Sequence, residues 1–194
     1  MQSIWFTSDQ HFGHSNVIQF CNRPFANVEE MNEALIENHN KVIRKGDLVY
    51  VLGDMFWRSL TLQQAMTIRA RLNGQMFYVN GNHEELLRKK ELSSQFIWCK
   101  DLAKIHPVGY PHIILCHYAM RTWEGAHRGD WQLFGHSHNG LLASVQGSTK
   151  EESALSFDIG VDAWGMCPVS LEQVAETMKL IKETADAKFN TIEG

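Results

Sequence analysis

The run Leu48-Val49-Tyr50-Val51-Leu52, followed at once by Gly53-Asp54, restricts the fold more than any other stretch of the chain. Consecutive apolar residues cannot alternate between a core and solvent, so the segment reads as a strand covered on both faces. Such strands belong to parallel sheets with helices packed over them. The neighbouring segments agree. Residues 3–8 (Ser-Ile-Trp-Phe-Thr-Ser) and 76–79 (Met-Phe-Tyr-Val) are short runs rich in strand formers. Between the first two strands, Val28, Met31, Leu35, Ile36, His39 and Ile43 recur at steps of three or four, so residues 28–44 read as a helix capped by Asn27. Residues 61–72 and 84–90 also read as helical. The first half is therefore β-α-β-α-β, the order of a parallel sheet with helical crossovers.

The second half changes character. Residues 103–108, 112–116, 131–135 and 154–161 read as strands without long helices between them, with a hairpin turn in His106–Pro111. Residues 144–153 are polar and read as an exposed loop. A closing amphipathic helix is expected over 170–183, with Ser170 as its cap and Leu171, Val174, Met178 and Ile181 on one face. A length of 194 residues suits one core, and 1–194 is read as a single domain.

Composition narrows the function. The charged fraction of 21% and hydrophobic fraction of 44% exclude large-scale disorder. A formal net charge of −4 argues against a dedicated duplex binder, which needs a basic balance to neutralise phosphates. No apolar run has the length of a bilayer span, and the start lacks the pattern of a secretory signal, so a cytoplasmic, membrane-free protein is expected. Cys21, Cys99, Cys116 and Cys167 form no CxxC pair and read as buried, reduced thiols.

The ten histidines carry the chemistry. The strand readings end in metal-ligand residues: Asp9-x-His11, Gly53-Asp54, Gly81-Asn82-His83, His117, and Gly135-His136-Ser137-His138. In α/β sheets, sites form at the carboxyl ends of strands. In extended chain, residues i and i+2 point the same way, so Asp9 with His11, and His136 with His138, can each aim at one ion. A mixture of carboxylate, imidazole and amide oxygen suits Mn, Fe or Zn better than Ca.

The ordered series DxH, GD, GNHE, a lone H and GHSH resembles the calcineurin-like metallophosphoesterase family over residues 9 to 138. The stretch from Asp9 to Phe25, with Asn16 and Asn22-Arg23-Pro24-Phe25, resembles a small, uncharacterised bacterial and phage branch of it. The resemblance implies a four-layer α/β/β/α sandwich, two mixed sheets flanked by helices. It implies two divalent ions, manganese first and iron, zinc or nickel also compatible. Asp9, His11, Asp54 and His138 would hold one ion. Asp54, Asn82, His117 and His136 would hold the other, with Asp54 bridging. His83 would be a catalytic group beside the metals. Two divalent ions, two carboxylates and a bridging hydroxide leave a site charge of about +1, which attracts phosphate. The hydroxide is the expected nucleophile.

One position departs from many relatives, which carry an acid three residues after the bridging Asp to orient the catalytic His. Here that position is Trp57. Arg58 beside it matches a pattern of the phosphoprotein phosphatases. Glu84 is an alternative partner for His83, or a solvated first-turn residue. Arg23, Arg58, Arg121 and His14 are candidate substrate-binding groups. Phe12, Phe56, Trp57, Trp123 and Trp164 could stack a nucleobase, with packing as the default. The expected substrate is a phosphodiester or nucleotide, including a short oligonucleotide. The alternatives are a phosphomonoesterase, including a protein phosphatase, and a non-enzymatic metal-binding scaffold.

Overall fold

A computed structural model describes residues 2–141 and 155–192, with side chains of residues 186–192 left aside. The first sheet holds β1 (Ile4–Thr7), β2 (Leu48–Val51), β3 (Gln75–Val79) and β4 (Cys99–Lys100), all parallel, with β9 (Val169–Ser170) antiparallel beside β1. The second holds β5 (Leu102–Ile105), antiparallel to β6 (Ile113–Cys116), followed by β7 (Trp131–Phe134) and β8 (Ser156–Asp158), which run parallel to β6. Both sheets are mixed, and helices flank them. This matches the sandwich of two mixed sheets flanked by helices that the sequence resemblance implies.

Strand alternation divides the core. Val49, Val51, Met76 and Tyr78 face the helices α2 (Val28–Val42) and α3 (Leu62–Arg71), meeting Met31, Leu35, Ala65 and Ile68. Phe6, Tyr50, Leu52 and Val79 face the second sheet, meeting Ile113, Leu115, Leu133 and Phe157. The long helix α5 (Leu171–Ile192) adds Leu171, Val174, Met178 and Ile181 to this inner cluster. Caps fall where expected. Asn27 accepts from the Glu30 amide at 2.9 Å, and Ser170 and Gln173 cap the start of α5 reciprocally.

Three local expectations change. Residues 84–90 do not form a helix; the chain makes turns and becomes helical only in α4 (Lys90–Ser93). The reason is Glu84, whose carboxylate turns inward to accept three hydrogen bonds instead of facing solvent on a first helical turn. A short helix α1 (Ser15–Phe20) precedes the N-R-P-F segment, where no element was read. The four thiols are free but only half-buried. The polar stretch 144–153 lies outside the described residues. Among the described residues, no helix is long and apolar enough to cross a membrane.

The two sheets meet through a parallel bridge between Ser8 and Gly160, just past the ends of β1 and β8. That bridge brings the carboxyl ends of the parallel strands in both sheets to one place.

Candidate metal centre

Two ligand sets converge there. Asp9, His11 and His138 offer ligand atoms within 4.8 Å of one another, and so do Asp54, His117 and His136. Asp54 lies between the sets. Its Oδ2 is 3.8 Å from His11 Nε2 and 3.6 Å from His117 Nε2. Its Oδ1 is held by the amides of Asn82 and His83, both at 3.0 Å, so Oδ2 is the atom free to bridge. Asn82 Oδ1 is 3.0 Å from His117 Nε2, which puts the amide oxygen in the second set.

The backbone explains how the chain reaches this arrangement. Asp9, His11, Asp54, His136 and His138 all have φ between 46° and 64°. Left-handed conformation costs a non-glycine residue free energy and concentrates where geometry matters for function. The extended i, i+2 argument therefore does not apply. Asp9 and His11 still share a set, whereas His136 and His138 divide between the two. Gly53, at φ 90°, is required by closeness as well as by conformation. A Cβ there would lie 2.6 Å from His117 Nδ1 and 2.7 Å from the Gly81 Cα.

The donor set fits divalent cations. Asp9 Oδ1 and both ring nitrogens of His11 are buried with no hydrogen-bond partner. Leaving such atoms unpaired costs about 1–3 kcal/mol each, and a cation would satisfy them. Burial holds the His11 imidazole down at about 2, and it also lowers His117 and His136, so these rings are neutral and ligand-competent. Burial pushes the Asp9 carboxyl up to about 7, against the pull of His138. His117 Nδ1 sits 2.7 Å from the Leu52 carbonyl, which directs Nε2 to the centre.

His83 stands at the rim. Its ring packs edge-on to Trp57, with centroids 4.5 Å apart, and lies 5.9 Å from that of His11. Trp57, at the position where the resemblance implies an acid, packs against His83 instead of offering it a carboxylate. Glu84 does not serve as the partner. Its Oε1 accepts from the Asp54 amide at 3.0 Å, the Gly81 amide at 2.7 Å and the Tyr78 hydroxyl at 3.0 Å, pinning the two ligand-bearing loops together.

The candidate substrate groups divide. His14 lines the cleft and stacks on Trp57 at 3.6 Å, and burial holds its ring down at about 4. Arg23 is a structural residue, not a substrate-binding one. Its guanidinium is buried, and its N–H groups go to Asp162, the Asp9 and Gln10 carbonyls and Met31 Sδ, so none is left for a phosphate. Arg58 and Arg121 are exposed and do not line the cleft, and the Arg58 guanidinium lies 5.4 Å over the Trp57 ring. Of the five aromatic candidates, Phe12, Phe56 and Trp123 are core, Trp164 is half-buried and packs against Phe157, and Trp57 alone lines the cleft.

Asp158 and Asp162 escaped the sequence reading. Asp158 accepts from Gly160, Ser137 and Asn139, which shapes the GHSH turn. Asp162 Oδ2 is 2.6 Å from His138 Nδ1. The signal was present: Phe157-Asp158-Ile159-Gly160-Val161-Asp162 is one more apolar strand followed by acids and a glycine. Cys21, His138 and Asp162 also cluster, but Arg23 occupies both oxygens of Asp162, so this trio is not a further cation site.

The calcineurin-like phosphoesterase family model matches residues 2–117. The chain belongs to the calcineurin-like phosphoesterases. Membership carries divalent-metal-dependent hydrolysis of phosphate esters. The chain is similar along most of its length to an uncharacterized protein of Methanocaldococcus jannaschii, 31% identical and covering 92% of this chain and 93% of that one. It is similar to the gene 66 protein of Mycobacterium phage D29, 24% identical over 94% of this chain and 99% of that protein. In fold it resembles the crystal structure of a protein of unknown function from Aquifex aeolicus, with a TM-score of 0.69 at 22% identity, covering 91% of this chain and all of that one.

Proposed function

We propose that this phosphoesterase uses two divalent ions, manganese by preference, to hydrolyse a phosphodiester of the nucleotide type. The observation that supports the reading is Asp54 Oδ2, which lies 3.8 Å from His11 Nε2 and 3.6 Å from His117 Nε2, between two groups of candidate ligands. Asp9, His11, Asp54 and His138 would hold one ion, and Asp54, Asn82, His117 and His136 the other. When bound, the pair supplies an activated water and charge neutralisation at the phosphoryl oxygens.

The chain's own residues do the rest. Burial of Asp9, His11 and His117 keeps bulk water from the inner side of the centre, so the substrate enters from the open cleft of about 320 Å³. His83, on the rim of that cleft, carries the proton delivered to the leaving oxygen. Trp57, His14 and the exposed Phe20 form an aromatic wall of the cleft. The exposed Tyr118 packs against His136, with centroids 4.9 Å apart. A diester carries two substituents on phosphorus, and the wall can receive one of them.

The charge of the cleft favours a diester over a monoester. Among the described residues, its lining contains no Arg or Lys, so no cationic side chain meets the second negative charge of a monoester dianion. Metal ligands arise in both sheets, which supports 1–194 as one functional domain. A chiral phosphorothioate diester hydrolysed in isotopically labelled water tests direct attack. Inversion at phosphorus is expected, and retention would require a covalent phosphoenzyme and overturn this mechanism.

A further inference from the structure

Arg23 and Asp162 form a buried ion pair that the hydrolytic reading leaves without a role. Arg23 Nε meets Asp162 Oδ1 at 2.8 Å and Nη2 meets Oδ2 at 2.8 Å, with side-chain exposures of 0% and 5%. The two residues are 139 positions apart in sequence. A buried pair of this kind contributes little net stability, because desolvation offsets the attraction. What it does contribute is geometry, and here the geometry has one destination.

From Asp162, Oδ2 reaches His138 Nδ1 at 2.6 Å, which leaves Nε2 as the ligand atom of that ring. From Arg23, Nη2 donates to the Asp9 carbonyl at 2.7 Å and Nη1 to the Gln10 carbonyl at 2.8 Å, on the left-handed turn that aims Asp9 and His11. One pair therefore holds the His138 ring directly and, through the Asp9 and Gln10 carbonyls, the backbone that carries Asp9 and leads into His11, joining ligands from opposite sheets. In the other set Glu84 holds the Asp54 and Gly81 amides, but no charged side chain hydrogen-bonds the rings of its histidines among the described residues. His117 is fixed by the neutral Leu52 carbonyl, and none of the described hydrogen bonds involves the ring of His136.

We propose that Arg23 and Asp162 are positioning residues for the metal site of Asp9, His11 and His138, and set its affinity separately from that of the other site. A carboxylate on the far ring nitrogen fixes the tautomer and raises the basicity of the metal-binding nitrogen. Arg23 neutralises that carboxylate and locks its orientation, so His138 is held without adding net charge. The proposal rests on the reading that this triplet holds a cation.

The test is calorimetric titration of metal-free protein with Co²⁺, followed also by its visible absorption. Wild type is expected to take two ions. Asp162→Ala should lose about 10–100-fold in affinity at one site only, and about half the absorption at concentrations that fill both wild-type sites. Asp162→Asn, which keeps an acceptor for His138 but not the charge, should fall between them. Arg23→Met should shift the same site. A folded Asp162→Ala that binds both ions within about twofold of wild type overturns the proposal. Equal weakening of both sites overturns it too, since that is the signature of a general structural role. If Asp162→Ala does not fold, wild-type affinities in the isosteric Asp162→Asn decide against it. A wild type that binds fewer than two ions overturns the dinuclear reading itself, visible without any variant.

Discussion

Tyr78→Phe removes one oxygen from the interior and leaves the shape of the core unchanged. The hydroxyl lies between the two loops that carry Asp54 and Asn82. It donates to the Glu84 carboxylate at 3.0 Å and accepts from the Met55 amide at 3.1 Å, and the residue is 0% exposed. A hydrogen bond to a charged group contributes about 1.5–3 kcal/mol, and a buried amide left without an acceptor costs about 1–3 kcal/mol. No cavity opens, so a loss of about 2.5–6 kcal/mol is expected. With a urea slope of about 2–3 kcal/mol/M, the midpoint of metal-free protein should fall by about 1–3 M at unchanged slope. Because Glu84 also holds the Asp54 and Gly81 amides, metal affinity should weaken with it. A midpoint within about 0.2 M of wild type would refute the reasoning, since it would mean the Met55 amide and Glu84 find other partners at no cost.

His83→Ala should keep both metals and lower kcat by about 10²–10⁴-fold; an unchanged kcat would remove His83 from the proton transfer. Phe20→Ala should raise KM for a dinucleotide about tenfold and leave that of a small alkyl aryl diester less affected, because stacking contributes about 1–3 kcal/mol per base; equal shifts for both would contradict base stacking. His39 gives a pH dependence of stability. Burial, against a hydrogen bond to the Asn73 carbonyl at 2.8 Å, holds its ring at about 4 rather than 6.5. The unfolded chain therefore takes up the proton first. The contribution of the neutral ring is complete above pH 6.5 and is lost as pH falls toward 4, by up to about 3 kcal/mol. Urea midpoints should fall more steeply with acid in wild type than in His39→Gln, and parallel curves would contradict this.

The strand ends were legible because each candidate ligand follows directly on an apolar run, and position after a buried strand is a local property. Asp54 after Leu48–Leu52 and His117 after Ile113–Cys116 are of this kind. Roles set by distant partners were not. Nothing near Arg23 in sequence shows that Asp162 will take its guanidinium, so a buried strut looked like a phosphate binder. The i, i+2 geometry was misleading because it assumes extended backbone, whereas His136 and His138 are left-handed and divide between two ligand sets. The helix read over 84–90 failed for a related reason. Glu84 suits a first helical turn by type, but tertiary demand from the Asp54 and Gly81 amides draws it inside. Phe20 is not legible in the sequence, because α1 has a single fully buried residue, Val17, and so little periodicity.

The central claim is a pair of ions acting together on a diester, and one titration addresses it. Metal-free protein would receive Mn²⁺ stepwise while hydrolysis of bis(p-nitrophenyl) phosphate and of p-nitrophenyl phosphate is followed in parallel. Activity is predicted to stay low until the second equivalent binds, to plateau there, and to favour the diester. A plateau after one equivalent, or no turnover of either ester with both ions bound, would contradict the account.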